Sequence, residues 1–170
     1  MDLKELVRTI PDFPKEGILF RDITPLIANA DGYEALVDEM AKTLREQDVD
    51  VVVGPEARGF IFGAALAHAL HAGLVLARKP GKLPYKTISY AYGLEYGTDE
   101  LQIHEDSIKP GQRVAIVDDL LATGGTALAC AKLVEKAGGV VVGFTFAIEL
   151  CDLPGRETLA GYPVHTILQY

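Results

Sequence analysis

Short β-branched runs alternate with helix-forming stretches from about residue 31 to 150, and this alternation restricts the fold more than any other feature. Val49–Val53, closed by Gly54-Pro55, has the pattern of a buried strand, and Leu74–Ala77, Arg113–Val117, Val140–Leu150 and Val164–Leu168 repeat it. Between them, Gly59–Leu70 and Thr123–Ala137 are rich in helix formers, and Gly138-Gly139 ends the second. Upstream, Asp31 is placed to cap a helix whose apolar face is Leu36, Val37, Met40 and Leu44. Strands separated by helices build parallel sheets, because a parallel crossover needs a long connection. The expected fold is therefore α/β: a single domain over residues 1–170, with a mostly parallel, twisted sheet and helices on both faces. Ligands of such sheets bind beyond the carboxyl ends of the strands.

Outside this core the pattern changes. Leu3, Leu6, Val7 and Ile10 have helical spacing, ended by Pro11. Pro11-Asp12-Phe13-Pro14 and Gly17 force an extended, turning segment. Ile88–Tyr92 and Leu101–His104 read as strands about a turn at Gly93–Thr98. The formal net charge of -8 argues against a polynucleotide partner. No stretch approaches the ~18 apolar residues of a membrane span. The charged start Met1-Asp2-Leu3-Lys4-Glu5 is unlike a signal peptide. Two cysteines, Cys130 and Cys151, without ligand-like spacing fit a reducing, cytoplasmic setting with no disulfide. Cys130 is expected in the core, and His68, His71, His104 and His165 show neither metal spacing nor a paired nucleophile.

The chemistry concentrates in Val114–Thr126. Four apolar residues lead to Asp118-Asp119, then to Leu120-Leu121-Ala122-Thr123-Gly124-Gly125-Thr126 at the start of a helix. Glycines let successive N–H groups converge on an anion, and the helix N-terminus adds partial positive charge. Thr123 and Thr126 supply hydroxyls. This is a phosphate cradle that needs no lysine. Two carboxylates beside it would repel a phosphate. They make sense as acceptors for sugar hydroxyls and as stabilisers of positive charge developing on a sugar ring.

Other segments are open to two readings each. Gly54-Pro55-Glu56-Ala57-Arg58-Gly59 lacks the Lys-Ser/Thr of a Walker loop, but Arg58 can meet a diphosphate bidentately; it is otherwise a surface arginine at a helix start. Arg78, Lys79 and Lys82 are cations in a solvated loop or an anion site. Gly93–Gly97 is a hairpin tip or a hinged lid. Phe20-Arg21-Asp22 is a salt-bridged turn or part of a pocket. Glu149 and Asp152 follow the last long strand, where Asp152 is placed to cap the turn at Pro154-Gly155.

Val114–Thr126 closely resembles the phosphoribosyl-diphosphate motif of the type I phosphoribosyltransferases, and the resemblance extends over Phe20–Leu26, Arg58-Gly59-Phe60, Arg78-Lys79, Gly81–Pro84 and Leu94–Gly97. It implies that family's fold, with a small N-terminal hood (about residues 1–30) over a base site and a core from about 31 to 170. It also implies Mg2+-dependent transfer of a 5-phosphoribosyl group from its 1-diphosphate to a base, and the 20–26 segment points to adenine. By resemblance, Ala122, Thr123, Gly124, Gly125 and Thr126 hold the phosphoribose. Arg58, Arg78, Lys79, Lys82 and Tyr96 meet the diphosphate, and Phe20, Arg21 and Asp22 form the adenine pocket. Asp118, Asp119, Arg58 and Glu95 serve catalysis, Glu95 at the base. A cis peptide is placed at Glu56-Ala57. Mg2+ is expected through substrate and water, with no direct protein ligand, and a homodimer is expected. Another purine or orotate as acceptor, or a non-catalytic sensor of the diphosphate sugar, are the alternatives.

Overall fold

The computed structural model describes residues 1–94 and 97–170. An antiparallel hairpin of β1 (Arg8–Pro11) and β2 (Leu19–Asp22) leads into helices α1 (Thr24–Ala28) and α2 (Ala30–Lys42). Strand β3 (Val51–Pro55), helix α3 (Gly59–Ala69) and strand β4 (Gly73–Ala77) follow, then a second hairpin of β5 (Thr87–Leu94) and β6 (Gly97–His104). The chain ends with β7 (Arg113–Leu121), α4 (Gly125–Lys136), β8 (Val140–Glu149), a short α5 (Gly155–Thr158) and β9 (Val164–Gln169).

The central sheet has five strands in the order β4-β3-β7-β8-β9, and every pairing in it is parallel. Its middle strands are buried on both faces, as their unbroken apolar runs require. The pleat sorts them. Val51, Val53, Val114 and Ile116 join Ala127, Cys130 and Val134 of α4 in one core cluster. Val52, Ala115 and Val117 join Leu36 and Met40 of α2 and Phe62 and Leu66 of α3 in the other. A buried Phe or Leu of this kind typically contributes several kcal/mol against truncation to Ala. The expected sheet with helices on both faces is what the chain forms.

Four local details differ from the sequence reading. Leu3–Leu6 is only a 3-10 turn, and Arg8–Pro11 is a strand. Val7, Thr9 and Ile10 are β-branched, and pairing with β2 outweighs a short isolated helix. Asn29, not Asp31, caps α2, its side chain accepting the Gly32 N–H at 2.8 Å. The 87–104 strands pair with each other as a hairpin beside the sheet, joined to it by a bridge between Arg78 and Gln102 and by Leu101 and Ile103, which share a core cluster with Val75 and Ala77. Strand β7 runs on through both aspartates to Leu121, so helix α4 begins at Gly125 rather than Thr123.

Candidate active site

Beyond the carboxyl ends of β3 and β7 lies a cavity of about 320 Å³. It is lined by Glu56, Ala57, Arg58, the whole run 118–127 and Phe146. The two glycines of the loop have different jobs. Gly124 is left-handed (φ 84°), and a Cβ there would lie 3.0 Å from the Gly155 carbonyl oxygen. Gly125 already belongs to the helix and packs on the Tyr92 ring. The turn at Gly124 therefore brings the unpaired N–H groups of a twelve-residue helix to the cavity wall.

Because β7 stays extended, its two aspartates leave on opposite faces. Asp119 is buried and ion-paired with Arg58, and that hydrogen bond holds the guanidinium more firmly protonated than usual. Burial and the neighbouring charge of Asp119 push the Asp118 carboxyl well above the ordinary carboxylate range. One Asp118 oxygen accepts the Asp119 N–H at 2.8 Å. The Glu56-Ala57 peptide beside Arg58 is cis.

A second, largely apolar cavity of about 100 Å³ adjoins the first. Its walls are Ile18–Arg21 of the first hairpin together with Leu120, Ile148 and Leu150, and it shares Arg58, Asp119 and Leu120 with the larger cavity. Phe13 meets Phe20 edge to face at 5.1 Å and sets the tilt of its ring. Arg21 sends its guanidinium away, donating to Thr9 Oγ1 at 2.6 Å and lying 4.3 Å over the Tyr170 ring. Asp22 is committed to the start of α1, accepting the Thr24 N–H at 3.0 Å and the Thr24 hydroxyl at 2.7 Å. These two bonds outweigh burial and hold its carboxyl below the usual range.

The remaining cations sit outside the cavity wall. Arg78 Nε donates to Glu56 at 3.2 Å, and the Lys79 N–H donates to the same oxygen at 2.8 Å. Lys79 Nζ pairs with Asp99 at 2.6 Å, while Lys82 is exposed. Glu95 and Tyr96 lie outside the described residues. The turn at Pro154-Gly155 is not capped by Asp152. Glu149 is instead a buried acceptor for Arg156, Thr166 and Gln169.

Comparison with known proteins follows this geometry. The phosphoribosyl transferase domain family matches residues 27–152. A curated adenine phosphoribosyltransferase from Clostridium botulinum (strain Eklund 17B / Type B) is 62% identical over 100% of this chain and 99% of its own. The chain belongs to the adenine phosphoribosyltransferase family. The crystal structure of the Thermoanaerobacter pseudethanolicus adenine phosphoribosyltransferase matches with a TM-score of 0.96 at 52% identity, covering 99% of this chain and 98% of that one. The Saccharomyces cerevisiae adenine phosphoribosyltransferase, crystallised with an imino-altritol bisphosphate and adenine, matches with a TM-score of 0.92 at 41% identity, covering 97% and 96%.

Sequence reasoning missed several residues that line or adjoin these cavities. Leu120 lines both cavities and Ile148 lines the apolar one, yet in the sequence they are merely strand residues. Tyr92 packs on Gly125, with its hydroxyl 3.4 Å from Thr126 Oγ1 and 3.2 Å from Asp99. Its only sequence signal was an aromatic next to a glycine tip.

Proposed function

We propose that this chain transfers the 5-phosphoribosyl group from 5-phosphoribosyl 1-diphosphate to N9 of adenine, releasing AMP and diphosphate. The observation that carries this reading is the junction of the two cavities at Arg58, Asp119 and Leu120. One side offers amide donors and hydroxyls suited to a phosphate, the other an apolar cavity with Phe20 in its wall, suited to a purine. The reacting carbon belongs at the junction, beside carboxylates.

In this reading Ala122–Thr126 bind the 5′-phosphate and Asp118 and Asp119 accept the ribose hydroxyls. As the bond from C1 to the diphosphate lengthens, the ring becomes cation-like, and the two carboxylates stabilise it. A positive charge there favours the ionised form of Asp118, whose carboxyl is otherwise raised by burial and by the neighbouring Asp119. Arg58 faces both cavities and meets the departing diphosphate. Arg78, Lys79 and Lys82 serve it too, the first two exchanging Glu56 and Asp99 for the ligand. Phe20 stacks on the base, and the Arg21 backbone reads its edge. By the same family resemblance, Tyr96 is assigned to the diphosphate and Glu95 to the base.

Paired carboxylate oxygens on the cavity wall suit a hard divalent cation, whereas no cluster of three metal-ligating side chains exists among the described residues. Asp118 and Asp119 would hold a Mg2+ ion through its water and substrate, and the ion would supply charge neutralisation for the diphosphate. A homodimer fits the edge strand β4, whose Leu74 and Leu76 are 39% and 38% exposed. Free Cys130 and Cys151 fit a reducing, cytoplasmic setting.

The test is incubation with adenine, the diphosphate sugar and Mg2+, with guanine, hypoxanthine, xanthine and orotate in parallel. AMP should form from adenine alone and stop in EDTA. Product from another base only, or full turnover without divalent ion, would overturn the reading.

A further inference from the structure

The loop assigned to the 5′-phosphate does not hold its own shape. Its amides can face an anion only if its carbonyls face elsewhere, since a carbonyl oxygen aimed at a phosphate repels it. The Thr158 hydroxyl, which lies outside the cavity wall, has two carbonyls in reach, Thr123 at 2.7 Å and Pro154 of its own turn at 3.0 Å; the shorter bond ties the Thr123 oxygen to α5, on the side of the loop away from the cavity lining. Two close approaches back this up. A Cβ on Gly124 would meet the Thr158 side chain at 3.0 Å, and one on Gly155 would lie 2.6 Å from the Ala122 carbonyl oxygen. The short helix α5 is thus pressed against the loop from behind. It is anchored in turn by Arg156, which donates to buried Glu149 at 2.7 and 3.0 Å and to the Val164 carbonyl at 3.2 Å.

We infer that Thr158 is a positioning residue for phosphoribose binding: its hydroxyl turns the Thr123 carbonyl outward so that the loop presents only donors to the 5′-phosphate. The inference rests on the assignment of that phosphate to residues 122–126. It predicts a one-sided effect, because α5 touches the phosphate loop and does not line the apolar slot.

The experiment is steady-state kinetics of Thr158→Val, Thr158→Ser and Thr126→Ala, with KM measured separately for the diphosphate sugar and for adenine. Thr158→Val keeps the side-chain shape and deletes the hydroxyl. It should raise KM for the diphosphate sugar roughly tenfold, as expected for a carbonyl left facing the anion, with KM for adenine held within about twofold. Thr158→Ser should restore most of the loss. An unchanged KM for the diphosphate sugar in Thr158→Val, an equal rise in both KM values, or no rescue by Ser overturns the inference. Should Thr158→Val fail to fold, Thr158→Ala is judged by the same criteria. Thr126→Ala separates the two levels of the argument. If it raises KM for the diphosphate sugar while Thr158→Val does not, only the positioning role fails. If Thr126→Ala also leaves that KM unchanged, the phosphate assignment itself fails.

Discussion

Asp118 and Asp119 are adjacent in the chain, yet the strand pleat gives them different surroundings and different expected behaviour. Asp119 is the partner of Arg58 at the junction of the cavities. Asp119→Asn should lower kcat by at least ~100-fold, the loss expected for one electrostatic stabiliser, and an unchanged rate would remove it from the chemistry. Asp118 has a raised pKa, so folding favours its neutral form. The sign follows: this group stabilises the fold below its ordinary pKa of 3.8, and that advantage is lost as pH climbs through the raised value. Asp118→Asn should therefore melt higher than the parent at pH 8, by about 2–4 °C for each ~1 kcal/mol relieved, with the gap closing near pH 4, while activity falls. A gap independent of pH in thermal melts would refute this. The pair was readable in the sequence because two acids at a strand end are unusual. Their inequality was not, because it depends on which core face each one leaves.

Between the residue and the whole lies the loop and what braces it. Glu149 follows the last long strand, and its oxygens are taken by Arg156, Thr166 and Gln169. Burial raises its carboxyl pKa, and these hydrogen bonds outweigh burial and hold it below the usual range. A depressed pKa contributes stability that is complete above the ordinary value of 4.5 and disappears as pH falls through the folded value. Glu149→Gln should cost about 2 kcal/mol at pH 7, visible as a lower midpoint in urea, and converge with the parent in acid. An equal cost at both pH values would assign the loss to shape rather than charge. Elements with long periodic runs, α2, α4 and β8, could be read from the chain directly. The N-terminal strand, the Asn29 cap and the extension of β7 could not. Each is decided by a partner brought close by folding: β2 for the strand, the Gly32 N–H for the cap, and β8 for residues 118–121.

For the molecule as a whole, alternation in the sequence led to the parallel sheet, and the sheet placed the reactive loops at one end. The position of the second hairpin was not legible, because its strands pair with each other and only their apolar faces record that they lie on α4. The docking has an experimental use. The chain contains seven tyrosines and no tryptophan, so its ultraviolet emission comes from tyrosine alone. Tyr92 stands on Gly125 with its hydroxyl between Thr126 and Asp99. A phosphate that draws the Thr126 hydroxyl inward removes one of those neighbours. Adding ribose 5-phosphate, which lacks the diphosphate assigned to Tyr96, should therefore change the emission intensity, and Tyr92→Phe should abolish most of that change. The protein thus carries a native optical gauge of occupancy at its phosphate end, readable without attaching any dye.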